Sequence, residues 1–393
     1  MKKFTFPLVL FVFLFFLWGF AHSILDVLNK HFQDVLVISK SHSALVQVAV
    51  YGGYFLMAIP AGRFIKRFSY KRSVIFGLML FAIGAFMFVP AERIMSFPYF
   101  IVSLFVIGCG LTFLETASNP YIVALGDKAT GASRLSFAQS FNGLGWIFGP
   151  MIGGLMIFNA DGSNGSVALP YTIIGLIVLI VALVFMFIKL PKIERNDIDV
   201  KKNGGMRVLL KNKLFVFGVI AQFFYVGAQT GINSFFINYV IEFEPSILPR
   251  YAALILSLGG MGLFMIGRMV GSFIMKKYSP VKLLRLVAIL AACSMILVIF
   301  SFGFVSMVAL LLTYLFMSIM FPTIFALSIG NLGDNTEEGS SLLVMSIVGG
   351  AIVPPLMGAI GENSIALGFI FPLIGFIVVF FFARFMEKGS FKF

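Results

Sequence analysis

Long apolar runs alternate with short polar segments along almost the whole chain. Most runs hold about 20 residues, the length that an α-helix needs to cross the hydrocarbon core of a bilayer. The pattern predicts twelve transmembrane helices, at residues 6–28, 44–65, 73–91, 98–125, 135–158, 170–190, 214–241, 251–275, 283–302, 304–330, 340–360 and 364–385. The ninth and tenth are separated only by Gly303 and its neighbours. We therefore expect an all-α membrane protein.

One polar connection is much longer than the others and divides the predicted helices equally. We expect residues 1–190 to form an N-terminal six-helix half, 191–213 a cytoplasmic linker, and 214–393 a C-terminal six-helix half. Leu125–Asp127 in the first half recurs as Leu332–Asp334 in the second, which indicates a weak internal repeat. Six plus six related helices are typical of secondary transporters, whose binding site lies near the membrane midplane between the halves.

Composition and charge agree with a membrane protein and exclude a soluble one. Of the residues, 60% are hydrophobic and 11% are charged, against about 25% charged in soluble domains. The net charge of +13 does not indicate a nucleic-acid partner, because the basic residues lie in short loops between apolar runs. The 29 Lys and Arg residues lie on the side predicted to hold both termini, except for Lys30, Lys40, Arg93 and Arg250. This bias predicts cytoplasmic termini in a plasma membrane, such as the bacterial inner membrane.

The sequence contains no motif for a cofactor, a metal or covalent catalysis. It lacks the GxxxxGK[ST], HExxH and GxSxG patterns, and its two cysteines, Cys109 and Cys293, lie inside apolar runs. We expect no enzyme activity, no metal and no cofactor. An intramembrane hydrolase that uses two carboxylates, or a sugar sensor without transport, are the alternatives from other classes. The short loops favour a carrier that works as a monomer in the bilayer.

Two of the 16 acidic residues, Asp26 and Glu115, lie deep inside predicted helices. A charged side chain near the midplane costs roughly 3 kcal/mol, so a carboxylate kept there indicates a function. We expect both residues to couple proton movement to transport. The predicted sugar contacts are polar residues near these acids, a pair that shares one face of the fifth helix, and a stripe of the seventh helix. They are Ser23 and Asn119, Gln139 and Asn142, and Tyr225, Gln229 and Asn233, respectively.

Amides and aromatic rings suit a sugar, because amides bond to hydroxyl groups and rings cover its apolar face. A single Asn or Gln in a membrane helix serves helix packing about as often. Gln222 and His22 are interpreted in that second way.

Seven segments carry a family resemblance in collinear order. They are FLWGF (Phe16–Phe20), GRFIKRFSYKR (Gly62–Arg72), LETASNPY (Leu114–Tyr121), RLSFAQSFNGLG (Arg134–Gly145), YVGAQTGINSFFINY (Tyr225–Tyr239), FPTIFALSIGNLG (Phe321–Gly333) and GSSLLVMSIVGGAIVPPLMG (Gly339–Gly358). Together they resemble the fucose–proton symporter family of the major facilitator superfamily. The resemblance implies the major facilitator fold and import of a monosaccharide with a proton by alternating access.

The resemblance also assigns roles to residues. It matches the family's functional carboxylates to Asp26 and Glu115, and its sugar-lining amides to Gln139 and Asn142. Family members commonly have Asn where this chain has Leu25, so the choice among fucose, glucose or galactose, and amino sugars stays open. Our hypothesis is that Glu115 links proton and sugar while Asp26 exchanges protons with the outer side. A sodium-coupled sugar carrier and a proton-coupled exporter of the same fold are the alternatives.

Overall fold

The computed structural model describes residues 5–124, 131–158, 165–188, 190, 205–275, 278–329, 332 and 336–389. These ranges contain twelve helical spans that are long and apolar enough to cross a membrane, as predicted. The spans are α1 (Thr5–Ser23 and Leu25–Leu36), α2 (Lys40–Ser43 and Leu45–Phe68), α3 (Tyr70–Phe86 and Phe88–Ile94), α4 (Phe97–Ala124), α5 (Gly131–Ile157), α6 (Ala168–Phe187), α7 (Lys213–Phe243), α8 (Pro249–Leu254, Ile255–Met261 and Gly262–Ile274), α9 (Pro280–Phe300), α10 (Phe304–Met317 and Met320–Ile329), α11 (Thr336–Met345, Ser346–Val348 and Gly349–Ile360) and α12 (Ile365–Gly368 and Ile370–Gly389).

The twelve spans form two six-helix halves, α1–α6 and α7–α12. Residues 191–204 of the predicted linker lie outside the described residues. The described remainder contains a short helix, Gly205–Lys211, and the first residue of α7. The predicted limits of the two halves therefore stay a prediction.

The first span is longer than predicted. It continues past residue 28 to Leu36, because Leu25–Leu36 is an amphipathic helix whose polar side carries the ion pair of Lys30 and Asp34. A prediction based on apolar runs ends a span at charged residues such as these, although the helix continues past them. Asp26 therefore lies ten residues before the end of the span, or about 15 Å along the helix axis. This is further from that end than the prediction implied.

The break between the ninth and tenth spans is confirmed. Gly303 has φ +65°, and Ser301 before it has φ 52°, so the chain turns sharply between Phe300 and Phe304. Glycine accepts a positive φ at little steric cost. A short break of three residues that ends at Gly303 is therefore enough to separate two long apolar helices.

The two halves meet most closely on one side of the membrane. We call the face at which α1 begins and α12 ends the terminus side, and the opposite face the distal side. The hydrogen bonds and ion pairs between the halves that involve described residues lie at the midplane or toward the distal side: Asn29 to Ser234, Asn238 to Gln33, Lys40 to Gly361, Glu362 and Glu242, Ser41 to Pro355, Ser257 to Ile147, and Thr230 to Tyr51. The structure is thus closed on its distal side.

The eighth span contains a π-helical segment, Ile255–Met261. Irregular backbone is tolerated at membrane depth where it is enclosed by protein. Here the segment packs on α5, and the Ser257 hydroxyl donates a hydrogen bond to the Ile147 carbonyl. The π turn therefore belongs to the contact between the halves.

Candidate functional site

Glu115 is buried inside the N-terminal half without a counter-charge. It lies on α4, and its exposed fraction is 6%. The ion pairs between described residues are Lys30–Asp34, Lys40–Glu242 and Arg285–Glu387, so none of them involves Glu115. An enclosed carboxyl that no fixed cation neutralises is free to change its protonation state.

Tyr54 of α2 is a polar neighbour of Glu115. The Tyr54 hydroxyl faces both the Glu115 carboxyl and the Trp18 indole of α1. Neither the contact of the Tyr54 hydroxyl with Glu115 nor its contact with Trp18 has the geometry of a full hydrogen bond. Three helices of the N-terminal half therefore enclose the carboxyl and leave it room to take another partner.

A chain of hydrogen bonds joins the two halves beside this carboxyl. The His22 Nε2 atom and the Tyr51 hydroxyl are 2.8 Å apart, and the Thr230 hydroxyl donates to Tyr51 at 3.1 Å. The His22 ring also lies 5.3 Å from the Trp146 ring of α5. His22 and Tyr51 belong to the N-terminal half and Thr230 to α7, so the chain crosses the midplane interface.

Sequence reasoning missed most of this cluster. It interpreted His22 as a packing residue and did not single out Tyr51, Tyr54 or Thr230. The available signal was the pair Tyr51 and Tyr54, which lie three residues apart on one face of an otherwise apolar span. A phenol buried in an apolar helix needs a polar partner, which would have marked this face.

Unpartnered amides line the seventh span. Asn233 is 1% exposed, and neither its Oδ1 nor its Nδ2 atom has a hydrogen-bond partner. The amide of Gln222 is equally unpartnered and fully buried. Gln229 is partly exposed and makes no hydrogen bond with the described residues. A buried polar group without a partner costs about 1–3 kcal/mol, so these amides are positioned for water or a polar ligand.

Two predicted amides of the N-terminal half are available in the same way. The Oδ1 atom of Asn119, one turn beyond Glu115 on α4, has no hydrogen-bond partner. Gln139 on α5 is partly exposed and makes no hydrogen bond within the described part of the chain. Free amides thus come from both halves.

Three predicted sugar contacts form hydrogen bonds to backbone carbonyls in this structure, and their predicted role stays a prediction. Ser23 is fully buried, and its hydroxyl donates to the Phe20 and Gly145 carbonyls at 3.1 and 3.3 Å. The Asn142 amide donates to the Phe15 carbonyl at 3.0 Å, and the Tyr225 hydroxyl donates to the Met317 carbonyl at 2.9 Å.

Close helix packing accounts for the bonds of Ser23. A side chain on Gly149 of α5 would overlap the Ser23 hydroxyl, so α1 and α5 pack tightly at this point. The side chain of Asp26 lies outside the described part of the structure, and its predicted role stays a prediction.

Two cavities lie away from this polar centre. One of about 260 Å³, near His31 and Glu92, lies at the distal end of the N-terminal half. There the Glu92 carboxylate accepts hydrogen bonds from Ser166 and from the Val167 backbone N–H. The other, about 350 Å³ and lined by apolar residues and Cys109, lies among α2, α3 and α4. Neither is lined by an unpartnered amide, so the interface beside Glu115 is the candidate site.

Together, the two six-helix halves and the polar centre between them define a secondary transporter. The model of the Major Facilitator Superfamily matches residues 8–342. The L-fucose-proton symporter of Escherichia coli is 38% identical over 99% of this chain and 95% of its own length. A glucose/galactose transporter of Brucella abortus is 34% identical over 99% and 96%. The chain belongs to the fucose–proton symporter family of the major facilitator superfamily.

Solved structures agree with this assignment. A crystal structure of the E. coli fucose:proton symporter matches 98% of this chain and 99% of its own, at 38% identity and a TM-score of 0.75. A D-xylose-proton symporter, 16% identical, matches with a TM-score of 0.76 and supports the fold alone. These relatives are transporters, so the chain is a membrane transporter and not an enzyme.

Proposed function

We propose that this protein imports a monosaccharide together with a proton, by alternating access between its two halves. The observation that carries the proposal is Glu115, a buried acid that forms no ion pair with the described residues and lies near the interface to which both halves bring free amides. Relatives named as an L-fucose-proton symporter and a glucose/galactose transporter support the same chemistry. A neutral hexose or 6-deoxyhexose is the proposed substrate class.

Glu115 is the proposed link between proton and sugar. A carboxyl removed from water binds a proton more readily than one in water, and a protonated carboxyl donates a hydrogen bond to a sugar oxygen. Sugar and proton then strengthen each other's binding by the same factor. Asp26, on the distal part of α1, is the proposed site of proton exchange with the outer side.

The proposed sugar contacts are amides from both halves: Asn119, Gln139, Gln229 and Asn233. Trp18 and Trp146, which are partly exposed beside Tyr54 and His22, offer ring faces for the apolar side of a sugar. Ser23, Asn142 and Tyr225 stay outside this set, because their donor groups are bonded to backbone carbonyls.

The proposed orientation places both termini in the cytoplasm. The excess of Lys and Arg on the terminus side supports it. With the distal side closed by contacts between the halves, the structure then represents a state that is closed to the outside. We propose a bacterial inner-membrane protein that works as a monomer.

Glu115→Gln tests the coupling. The amide imitates the protonated carboxyl, so the variant should exchange labelled sugar across proteoliposomes but accumulate at least 100-fold less of it under an imposed pH gradient. The sugar panel is L-fucose, D-glucose and D-galactose, measured in sodium-free buffer. Glu92→Gln, which removes an acid outside the candidate site, is the matched control and should accumulate sugar normally.

Other outcomes would change the proposal. Normal uphill uptake by Glu115→Gln would refute the role of this carboxyl. Uptake that requires sodium at fixed pH would identify sodium, and not the proton, as the coupling ion. Efflux driven by a proton gradient would show that the protein is an exporter. No movement of any sugar by the wild type would overturn the proposed function itself.

A further inference from the structure

Arg268 is a basic side chain within a membrane span that forms no ion pair with the described residues, whereas Lys30, also six residues from the end of its span, is paired with Asp34. Arg268 belongs to α8 and precedes the helix end at Ile274 by six residues, or about 9 Å along the axis. In the sequence it falls inside the predicted span 251–275 and counts among the basic residues of the terminus side. An ionisable side chain at such depth is costly and by default indicates a function.

The guanidinium of Arg268 is only partly occupied. Its Nε–H donates to the Ser318 carbonyl of α10 at 3.3 Å, and its carbon lies 4.7 Å from the Phe264 ring centre. Tyr225 of α7 is a further neighbour. Among the described residues it forms no ion pair and no other hydrogen bond, and the side chain is partly exposed. Four of its five N–H donors therefore remain for a ligand.

The packing of α8 on α5 shows what Arg268 faces. Going toward the terminus side, α8 contacts α5 at Ala253 against Gly154, Ser257 against Ile147, and Met265 against Gly143. One further helical turn on each antiparallel helix leads to Arg268 on α8 and to Gln139 on α5. Both are partly exposed. The free amide of one half and the free guanidinium of the other thus lie at the same depth.

A guanidinium in this position has a specific chemistry. Its planar fork presents two parallel N–H groups to two oxygen atoms on adjacent carbons or on one carboxylate, which a lysine ammonium cannot do. A monosaccharide offers such pairs as neighbouring hydroxyls. The amides of α7 accept as well as donate, so they complement a donor-only guanidinium.

We propose that Arg268 is the specificity-determining residue of the C-terminal half, and that its guanidinium holds a pair of adjacent oxygen atoms of the transported sugar opposite Gln139. The inference rests on the proposed sugar transport and extends it. The same fork accepts a vicinal diol of a neutral hexose or the carboxylate of a hexuronate, and the experiment separates these two sources.

The test combines Arg268→Gln with sugars that lack single hydroxyls. Proteoliposomes take up labelled D-galactose, D-glucose or L-fucose, with monodeoxy analogues, D-galacturonate and D-glucuronate as competitors. Loss of a charged hydrogen-bond pair should raise the half-saturation concentration about tenfold or more and leave the maximal rate within about threefold. Two of the monodeoxy analogues each lack one of the two adjacent oxygens that Arg268 is proposed to hold. For these two analogues, Arg268→Gln should raise the half-saturation concentration no further.

Arg268→Lys should recover part of the affinity, because it keeps the charge but loses the fork. It also carries the test if the Gln variant does not fold. Arg285→Gln, which removes an arginine paired with Glu387 on α9 and α12, is the matched control and should leave uptake unchanged. Competition by uronates that depends on Arg268 would identify a carboxylate as the bound pair.

Two results would overturn the proposal. One is an Arg268→Gln variant with wild-type half-saturation for every sugar. The other is a penalty of equal size for every deoxy analogue, which would indicate a structural role. A wild type that accumulates none of these sugars would instead contradict the proposed function, so the two failures are distinguishable.

Discussion

Both halves bring free amides to the central interface, but the N-terminal half also brings an acid and aromatic rings, whereas the C-terminal half also brings a cation. Glu115, Tyr54 and His22 lie on one wall, and Asn233 and Arg268 lie on the other. An acid that can take up a proton is thus separated from a guanidinium whose charge is constant. We propose from this difference that the N-terminal half couples the proton, while both halves contact the sugar.

Asn233→Ala should give the largest effect on the second wall. Removing an amide that is proposed to bond to the sugar should raise the half-saturation concentration about tenfold, whereas the pH dependence of uptake should not change. Uptake kinetics measured across a series of pH values would check both statements. Asn212→Ala is the matched control, since Asn212 only caps the start of α7 through the Phe215 N–H.

A pH profile that moves in Asn233→Ala would break the proposed division between the halves. An unchanged half-saturation concentration would remove Asn233 from the sugar site. Both readings require the control to behave like the wild type.

Tyr54→Phe should change the pH dependence of uptake rather than the half-saturation concentration, and its effect should be smaller than that of Asn233→Ala. The hydroxyl faces Glu115, and a donor beside a carboxylate favours its charged form. Without it the carboxyl keeps its proton to higher pH. The pH at which uptake falls by half should therefore rise by a few tenths of a unit, with the half-saturation concentration within about twofold. Tyr171→Phe, whose ring stacks on Phe88, should show neither change.

Lys40→Gln should give the smallest effect, and it should not act on one half more than on the other. Lys40 bonds to the Gly361 and Glu362 carbonyls and pairs with Glu242 at 3.6 Å, which closes the distal side. Exposed contacts of this kind contribute about 1 kcal/mol or less each. The equilibrium should shift about two- to fivefold toward the state that is open on the distal side.

The labelling rate of a cysteine placed at Ser234, in a background without Cys109 and Cys293, would measure that shift. Ser234 contacts Asn29 of the other half, so the reporter becomes accessible only when the halves separate. Lys30→Gln, whose partner Asp34 lies on the same helix, should leave the rate unchanged. An equal increase in both variants would show that Lys40 does not close the halves.

Helical periodicity predicted the spans well but could not predict partners. The twelve spans and the break at Gly303 are confirmed, because apolar length and glycine geometry are local properties. The end of α1 was wrong because Leu25–Leu36 is amphipathic. Gln139 and Asn142 show the limit most clearly. They lie three residues apart, yet one amide is free and the other donates to Phe15, which depends on the approach of α1.

The cluster around Tyr51 was beyond the sequence for the same reason. The hydrogen bonds from His22 and Thr230 join residues 29 and 179 positions away. The free donors of Arg268 could not be predicted either, because its contacts with Ser318 and Phe264 depend on how α8 packs. Which faces of the helices meet decides both cases.

The protein contains two tryptophans, Trp18 and Trp146, and both stand beside the candidate site, at Tyr54 and His22. All of its indole emission therefore originates within contact distance of the place where a sugar would rest. Tryptophan fluorescence of the unlabelled protein in detergent should therefore report sugar binding. Replacing either indole with phenylalanine would then assign each part of the signal to one ring.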